Sequence, residues 1–463
     1  MALLALLIAS AAPVSHPGAV EAAGPAAEAV RHVPLPPFPI LIAITGLVYL
    51  GTLAASRLAI RLRLPAVLGV LALGLLLSPS RDMLSLQEVE NLHVVSLSIL
   101  LFCSGLNANL HHLRSSVRYA LLLTAGGALL TTLLFAGLIW GLLAGLASFW
   151  PSHGFAALPF PVALLLAACV SCTDASATLD VLQRAGLRLA KPLEALVLVE
   201  GSINDSLAIL LLLLMSALAG VGLGLPGHGH HGLSAALDAL QAFLRSIGTG
   251  VMMGLILTYL GQAILRRFVS SPNQVLLLGI ALALSSYGLT NLLHGSGFIA
   301  AYVTGLFLAN DIYASERIDP DQLEASLEAF NTLTEYTVML LFGTHINPNS
   351  LGQAWLPGLL GAAALVLIAR PLSVLALRPW SPLSPREELL LSWCGLRGAV
   401  SVGLGYTAVH AIHGLPGLPP ERLQPLMQQV EGLIAVVVIG NLCLQGLSLP
   451  PLARRLGLSR EAG

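Results

Sequence analysis

Long apolar runs recur along nearly the whole chain, separated by short segments rich in arginine, proline or glycine. A window of about 20 residues matches the length that crosses roughly 30 Å of bilayer hydrocarbon. Thirteen segments fit it, near residues 38–56, 65–79, 92–107, 117–145, 160–183, 192–220, 238–265, 274–292, 296–310, 326–344, 354–377, 387–411 and 429–449. The pattern predicts an all-α polytopic membrane protein with about 13 transmembrane helices.

Basic residues are distributed unevenly between the loops. The loops that follow odd-numbered spans hold Arg57, Arg61, Arg63, Arg114, Arg118, Arg184, Arg188, Lys191, Arg266, Arg267, Arg317, Arg378, Arg386, Arg454, Arg455 and Arg460. The opposite side holds only Arg81, Arg422 and Arg31. Because basic loops stay in the cytoplasm, we expect a multi-pass protein of the cell (inner) membrane with its N-terminus outside and its C-terminus cytoplasmic.

The N-terminal tail, residues 1–35, begins with an apolar stretch over residues 1–15 that is too short to span a membrane. It lacks the basic n-region of a signal peptide, although Ala-Ser-Ala-Ala stands at residues 9–12. A cleaved signal segment therefore stays open. A short cytoplasmic tail is expected over residues 452–463, with no regulatory domain.

Composition supports the lipid bilayer as the solvent. Of 463 residues, 56% are hydrophobic and 10% charged, the mean hydropathy is +0.85 and the net charge is -1, whereas soluble domains carry about a quarter charged residues. There is no Lys/Arg-rich run or zinc-finger spacing, so neither nucleic acid nor a soluble domain partner is expected. Cys169 and Cys172 form a C-x-x-C without a second ligand pair, and packing of small apolar residues is the favoured interpretation. We expect no cofactor.

Ionisable residues inside the spans are the first functional candidates, because each costs about 2.5–3.5 kcal/mol on insertion scales. The clearest are Asp174, Glu200, Asp205, Arg245, Glu335, Arg370 and Arg397.

Spans 5 and 6 are antiparallel neighbours whose centres are rich in small and polar residues. Such residues loosen a helix and satisfy its freed backbone groups. The carboxylates of Asp174 and Asp205, with nearby hydroxyl and carbonyl oxygens, suit a hard monovalent cation and can take protons instead. One site that holds either ion is the minimum requirement for exchange. A buried polar network that only joins the helices is the alternative for these two aspartates.

Span 12 is interrupted by glycines around a charge, in Gly-Leu-Arg-Gly-Ala-Val-Ser at residues 395–401. Broken helices at corresponding places in two halves indicate a transport site, so spans 4–6 and 11–13 are predicted to be two inverted triplets. Since Arg370 and Arg397 are also predicted to be buried, a carboxylate–guanidinium pair involving Glu200 is expected. For Glu200 we favour this structural role over direct transport.

These motifs resemble the NhaP/NHE branch of the cation–proton antiporters (cation/proton antiporter family 1), in a bacterial form without a cytosolic regulatory tail. The resemblance covers nearly the whole chain and rests on Thr-Asp at 173–174, Glu-x-x-x-Asn-Asp at 200–205 and Gly-Leu-Arg-Gly-Ala at 395–399. It also includes Arg-Leu-Pro-Ala-Val-Leu-Gly at 63–69, Phe102 to Leu106, Gly-Ser-Gly-Phe-Ile-Ala at 295–300 and Ala-Arg at 369–370. Together, in this order, the three central motifs are specific.

The resemblance implies an inverted-repeat fold with two discontinuous helices that cross near the midplane. It implies that Asp205 binds cation and proton, that Asp174 assists it, and that Thr173, Asn204 and Ser202 complete the binding residues. Asn204 implies electroneutral exchange, Glu200 would pair with Arg370, and Arg397 would offset helix-end dipoles in the second broken helix. The transported ions would be Na⁺, or Li⁺ or K⁺, and H⁺.

The resemblance also implies a domain plan and a homodimer that works by alternating access. We expect scaffold and dimerisation helices 1–3 over residues 36–107, core helices 4–6 over 108–222, and a linker helix 7 over 233–268. Scaffold helices 8–10 would cover 272–345 and core helices 11–13 would cover 350–451.

Three positions depart from the family pattern. Gly201 stands where a serine is common, Ala175 replaces a common proline, and residues 102–106 contain no counterpart of an acidic residue found in some relatives. Selectivity among Na⁺, K⁺ and Li⁺ therefore stays open, and a K⁺-selective antiporter of the same fold is the first alternative. An intramembrane serine hydrolase is a remote one, because the motif at residues 294–297 has His294 where glycine is needed two residues before Ser296. A potassium channel lacks its filter sequence.

Overall fold

The computed structural model describes residues 38–78, 86–107, 117–150, 156–218, 233–269, 271–313, 320–415 and 418–461. The predicted N-terminal tail, with its signal-like stretch, lies outside these ranges, as do Arg81, Arg114 and Arg317.

The described chain is almost entirely helical. Its first half contains α1 (Phe38–Arg61), α2 (Ala66–Leu76), α3 (Leu86–Asn107), α4 (Val117–Leu122), a π-helical turn (Leu123–Gly127), α5 (Ala128–Phe149), α6 (Phe160–Ser171), α7 (Ala175–Arg184), β1 (Leu187–Leu189) and α8 (Lys191–Leu218). Its second half contains α9 (Leu233–Phe268), α10 (Pro272–Leu292), α11 (Gly297–Tyr313), α12 (Pro320–His345), α13 (Pro348–Ala364), a second π-helical turn (Leu365–Ala369), α14 (Arg370–Ala376), α15 (Pro385–Trp393), α16 (Ala399–Ala411), α17 (Pro420–Leu456) and β2 (Ser459–Glu461).

Every predicted span coincides with a helix or with a pair of helices that continue one another. Within the described ranges, seven helices are long and apolar enough to cross a membrane alone, and α6 with α7, bent by 47°, makes an eighth. The apolar segments of α2, α3 and α11 are shorter than this criterion requires. The all-α membrane fold is confirmed, and the number of thirteen spans stays a prediction.

Local irregularities recur at matching places in the two halves. Arg63, after α1, and His294, after α10, both have positive φ, at 63° and 57°. In both turns the next residue closes the helix end, with Leu64 N bonding to Ala59 O and Gly295 N to Thr290 O, as in a left-handed helix cap. Spans 1 and 8 therefore end in the same way, as an internal repeat requires.

The two π-helical turns also occupy matching places in the two halves of the chain. The first interrupts span 4 at Leu123–Gly127, and the second interrupts span 11 at Leu365–Ala369. Single π turns inside α-helices are often found at functional sites. Here the second one ends immediately before Arg370, a residue of the candidate site.

The helices pack as two groups. Helices α1, α2, α3, α10, α11 and α12 contact mainly one another, and α9 packs along α11. Helices α5, α6, α8, α13, α16 and α17 form the second group, with α13 lying along α17. The groups meet where α3 and α12 face α8 and α16. We call them the first and the second helix group.

A two-stranded ribbon follows the last helix and was not predicted. Helix α17 runs past the expected start of the tail at residue 452 and ends at Leu456, where Gly457 (φ 67°) forms a left-handed cap. Strand β2 then pairs antiparallel with β1, with Leu189 opposite Ser459. The predicted tail is thus tied to the segment that follows α7.

Candidate functional site

Two discontinuous helices cross in the second helix group. Span 5 breaks between α6 and α7, where Cys172 and Asp174 have extended backbone angles. Span 12 breaks between α15 and α16, and Gly398 is extended there. The two breaks touch, because Asp174 N donates a 2.7 Å hydrogen bond to Leu396 O. Unpaired backbone groups of each broken helix are thus satisfied at the crossing.

The first break is encoded locally. Ser-Cys-Thr-Asp supplies side chains that compete with helical hydrogen bonds and favour a helix start. Asp174 caps α7, since its Oδ1 accepts a hydrogen bond from Ala177 N at 2.9 Å. Its backbone carbonyl also accepts a bond from Thr178 Oγ1. Asp174 therefore has one carboxylate oxygen committed to the helix, and a carboxylate there is stabilised by the positive helix end.

Arg397 caps the C-terminal end of α6, the half-helix that precedes the break in span 5. Its Nη1 donates hydrogen bonds of 2.6 Å to the carbonyls of Ser171 and Cys172, the last residues before the break. Its side chain is 1% exposed. A positive charge at a helix C-terminus offsets the negative helix dipole, the role that the resemblance implies for this residue.

Asn441 and Gln445 of α17 support the second break, and the sequence analysis missed them. Asn441 Oδ1 accepts a hydrogen bond from Arg397 N at 2.9 Å, and its Nδ2 donates to Gln445 Oε1 at 3.0 Å. Both side chains are 1% exposed. Two amides four residues apart in an apolar span were the available signal.

Helix α8 brings the second carboxylate to the crossing. Asn204, buried at 1% exposure, donates from Nδ2 to Thr173 Oγ1 at 3.0 Å. The next residue, Asp205, accepts a 2.9 Å hydrogen bond on Oδ2 from Ser104 Oγ of α3. Asp174 and Asp205 are both partly buried. Ser202 lies on the same helix, and its side chain is outside the described part.

Glu200 and Arg370 form an ion pair deep in the second helix group. Arg370 Nη2 hydrogen-bonds to Glu200 Oε1, and the two side chains are 1% and 2% exposed. The expected carboxylate–guanidinium pair is thus present, and the structural role of Glu200 stays a prediction.

Gly201 and Ala175, two of the positions that depart from the family pattern, contact each other. A Cβ at Gly201 would lie 2.5 Å from Ala175 Cβ and 2.9 Å from Ala175 N. The missing side chain thus permits a close approach of α8 to the start of α7. The missing serine and the missing proline are consequences of one contact.

The remaining ionisable candidates separate clearly. Glu335 of α12 is partly buried and belongs to the first helix group. Arg245 of α9 is exposed. Ser296, considered for a hydrolase, starts α11, where its Oγ accepts a 3.5 Å hydrogen bond from Ile299 N.

The described residues contain no group of three or more His, Cys, Asp or Glu side chains arranged to hold a metal ion. The oxygen donors at the crossing belong to aspartate, serine and threonine side chains and to backbone carbonyls. Oxygen donors of this kind are typical ligands of hard cations. Crossed discontinuous helices beside partly buried carboxylates define the class of ion-coupled secondary transporters.

Comparison with known proteins agrees with this class. The family model for the transmembrane sodium/hydrogen exchanger matches residues 46–455. The chain belongs to this family of transporters.

Relatives carry names that cover two cations. A K⁺/H⁺ antiporter, NhaP2, of Shewanella oneidensis is 29% identical over 86% of this chain, and the chain spans only 64% of that relative's length. The Na⁺/H⁺ antiporter NhaH of Halobacillus aidingensis is 28% identical over 85% of this chain and 91% of its own length.

The fold matches solved antiporters. The sodium proton antiporter MjNhaP1 from Methanocaldococcus jannaschii at pH 8 has a TM-score of 0.73 at 21% identity, covering 92% of this chain and 99% of that chain. An electron-microscopy structure of the same antiporter has a TM-score of 0.70 at 22% identity. The inverted-repeat antiporter fold with two discontinuous helices is therefore confirmed.

Proposed function

We propose that this chain exchanges a monovalent cation for a proton across the membrane, with the two ions competing for Asp205 and with Asp174 assisting. The observation that carries the proposal is that Asp174 lies at the crossing of the broken helices, where Asn204, the residue before Asp205, hydrogen-bonds to Thr173, the residue before Asp174. A carboxylate there holds either a cation or a proton, and a site that binds one ion at a time can exchange them. Thr173, Asn204 and Ser202 belong to the proposed binding residues.

Everted membrane vesicles test this directly. A respiration-driven pH gradient should collapse when Na⁺, Li⁺ or K⁺ is added to vesicles that contain the wild-type chain. Asp205→Asn should abolish the response and Asp174→Asn should weaken it strongly. An Asp205→Asn variant that behaves like wild type would remove Asp205 from the site.

We propose Na⁺ as the first candidate cation, with Li⁺ or K⁺ as alternatives. Relatives of similar sequence identity are named for K⁺ and for Na⁺, so sequence identity alone does not indicate which cation is transported. The vesicle assay with each cation at equal concentration decides it: a response to K⁺ at concentrations where Na⁺ gives none would establish the K⁺/H⁺ alternative.

We infer electroneutral exchange, because Asn204, adjacent to Asp205, is uncharged and hydrogen-bonds to Thr173. The site then offers one shared carboxylate, and one cation replaces one proton. Clamping the membrane potential in proteoliposomes should leave the rate unchanged, and a potential-dependent rate would contradict this stoichiometry.

We also infer a homodimer in the cell (inner) membrane, with the N-terminus outside and the C-terminus cytoplasmic. Helix α1 is the candidate contact, because it exposes large apolar side chains on several sides, including Leu47, Leu50 and Leu53. A Leu50→Cys variant should cross-link between two copies in the membrane, and reporter fusions at both termini should show opposite sides.

In this proposal the first helix group is the scaffold and the second is the moving core. Residues 36–107 and 272–345 would stay fixed, while residues 108–222 and 350–451 would carry the site past them, with residues 233–268 as the link. Cysteine pairs placed across the contact of α12 with α16 should lock transport when they are oxidised and release it when they are reduced.

A further inference from the structure

Ser104 reaches the candidate site from the opposite helix group. It lies on α3, and its Oγ donates a 2.9 Å hydrogen bond to Asp205 Oδ2 on α8. Since α3 packs mainly on α11 and α12, whereas α8 packs on α6, this bond crosses the boundary between the first and the second helix group. By contrast, Asn204 bonds to Thr173, Asp174 to Leu396 and Arg397 to Ser171, all in spans 5, 6 and 12, outside the first helix group.

The position of Ser104 is fixed by close backbone packing. A Cβ at Gly105 would lie 2.3 Å from Tyr302 O, and a Cβ at Gly305 would lie 2.2 Å from Phe102 O. The two glycines let α3 and α11 touch backbone to backbone on both sides of Ser104. A hydroxyl held this way reaches Asp205 with little loss of entropy on binding.

The Ser104 hydroxyl also takes the place of a hydroxyl that α8 lacks. Gly201 has no side chain, and Ala175 occupies the space next to it, so α8 provides no hydroxyl at that position. Ser104 presents one from the facing side. A serine hydroxyl has one proton to donate and two lone pairs to accept, so it can bond a carboxylate and then turn its oxygen toward a cation.

We propose that Ser104 is a specificity-determining residue of the cation site: it orients the carboxylate of Asp205 from the facing helix group and supplies an oxygen to the bound cation. The inference rests on the proposed function and deepens it. Because the bond joins the two helix groups, it exists only while Asp205 faces α3.

A purely structural hydrogen bond between helices makes a different prediction. Removing such a bond lowers the amount of active protein, and hence the maximal rate, without changing the affinity. Removing a hydrogen bond to the charged form of Asp205 lets protons compete more strongly, so the cation affinity falls, and it falls most at acidic pH.

The experiment compares Ser104→Ala, Ser104→Thr and a matched control, Ser98→Ala, in everted vesicles. Ser98 lies on the same helix, is buried, and donates to Val94 O of its own helix. The cation concentration for half-maximal response and the maximal rate are measured for Na⁺, Li⁺ and K⁺ between pH 6.5 and 8.5, a range of about two units around neutrality.

For Ser104→Ala we expect the half-maximal concentration of the preferred cation to rise roughly tenfold or more, as expected when one hydrogen bond to a charged group is lost. The rise should be larger at pH 6.5 than at pH 8.5 and should differ between cations, with the maximal rate nearly unchanged. Ser104→Thr, which keeps the hydroxyl, should restore the affinity, and Ser98→Ala should not change it.

A second readout avoids transport. In detergent, added cation should raise the melting temperature of wild type, because a ligand that binds only the folded state stabilises it. Ser104→Ala should need about tenfold more cation for the same rise. An unchanged half-maximal concentration in both assays, or a loss of maximal rate alone, would overturn the inference. If Ser104→Ala leaves the cation affinity unchanged while Asp205→Asn still abolishes exchange, the inference about Ser104 is wrong and the proposed function stands. If wild-type vesicles respond to none of the cations, the inference and the proposed function are both wrong.

Discussion

Gly398 lies against the carboxylate of Asp174. A Cβ built on Gly398 would stand 1.8 Å from Asp174 Oδ2 and 2.7 Å from its Cγ. The contact joins the N-terminal ends of two half-helices, because Asp174 is the N-cap of α7 and Gly398 is the N-cap of α16. The glycine in Gly-Leu-Arg-Gly-Ala is therefore required by the aspartate of the other break.

Replacing this glycine tests whether the crossing positions Asp174. Gly398→Ala must push the carboxylate out of its place, because a contact of 1.8 Å cannot be accommodated. We expect exchange in everted vesicles to fall by at least about tenfold, with an overpacking cost of about 1–3 kcal/mol in stability. Gly137→Ala is the control, since Gly137 is exposed and a Cβ there meets no atom within 4 Å. Wild-type exchange by Gly398→Ala would mean that Asp174 is not needed in its observed position.

The buried pair of Glu200 and Arg370 gives a prediction for stability. Glu200→Ala leaves a guanidinium buried without its partner, which costs about 3–5 kcal/mol, so the yield of folded protein and the melting temperature should drop sharply. Replacing both residues with methionine removes both charges and should cost less than the single change. Melting curves in detergent measure both effects.

The control for this pair is an exposed one. Asp180 and Arg184 of α7 form a 2.6 Å ion pair with 40% and 42% exposed side chains, and exposed pairs contribute about 0–1 kcal/mol. Arg184→Ala should therefore shift the melting temperature little. Stable but inactive Glu200→Ala protein would instead assign Glu200 to transport.

The charged residues of the site can be predicted from the sequence alone, because ionisable side chains are rare in membrane spans. Four of them are charges in apolar surroundings, namely Asp174, Asp205, Glu200 and Arg370. The glycines of residues 395–398 indicate the second helix break. The helices follow from apolar length. The broken-helix topology follows from the order of the motifs.

Other features depend on tertiary contacts that local patterns do not contain. Ser104 is one of many serines in apolar helices, and only the packing of α3 against α8 brings it to Asp205. The π-helical turns lie in stretches of mostly apolar and small residues, where an inserted residue leaves no clear mark on the hydrophobic period. Strands β1 and β2 have three residues each, too few to show an alternating pattern.

The contact of Gly201 with Ala175 predicts a pair of coupled substitutions. Gly201→Ser restores the common family residue, but its Cβ would lie 2.5 Å from Ala175 Cβ, so we expect a loss of stability of about 1–3 kcal/mol and reduced exchange. Adding Ala175→Gly removes the Cβ on the other side and should recover part of the loss. Gly288→Ser, at an exposed and unobstructed position of α10, should change neither. Additive effects of the two substitutions would show that the residues do not interact.

The ribbon of β1 and β2 predicts a link between the segment after α17 and the broken helix. Arg454 Nη2 donates a 2.9 Å hydrogen bond to Ala185 O, directly after α7, and β2, which begins at Ser459, pairs with β1. A chain that stops after Gly457 loses β2 and keeps Arg454. We expect a cost of about 1–2 kcal/mol from the lost pairing, with exchange activity retained because no site residue is removed.

Hydrogen–deuterium exchange of the truncated chain locates the effect. Amides of Leu187–Leu189 should exchange faster, while those of α6 should remain as protected as in wild type. A chain that stops after Glu461 keeps β2 and should match wild type at both places. Unchanged protection of β1 after removal of β2 would show that this strand is held by its packing within the helix bundle, through the buried side chains of Leu187 and Leu189, and not by the ribbon.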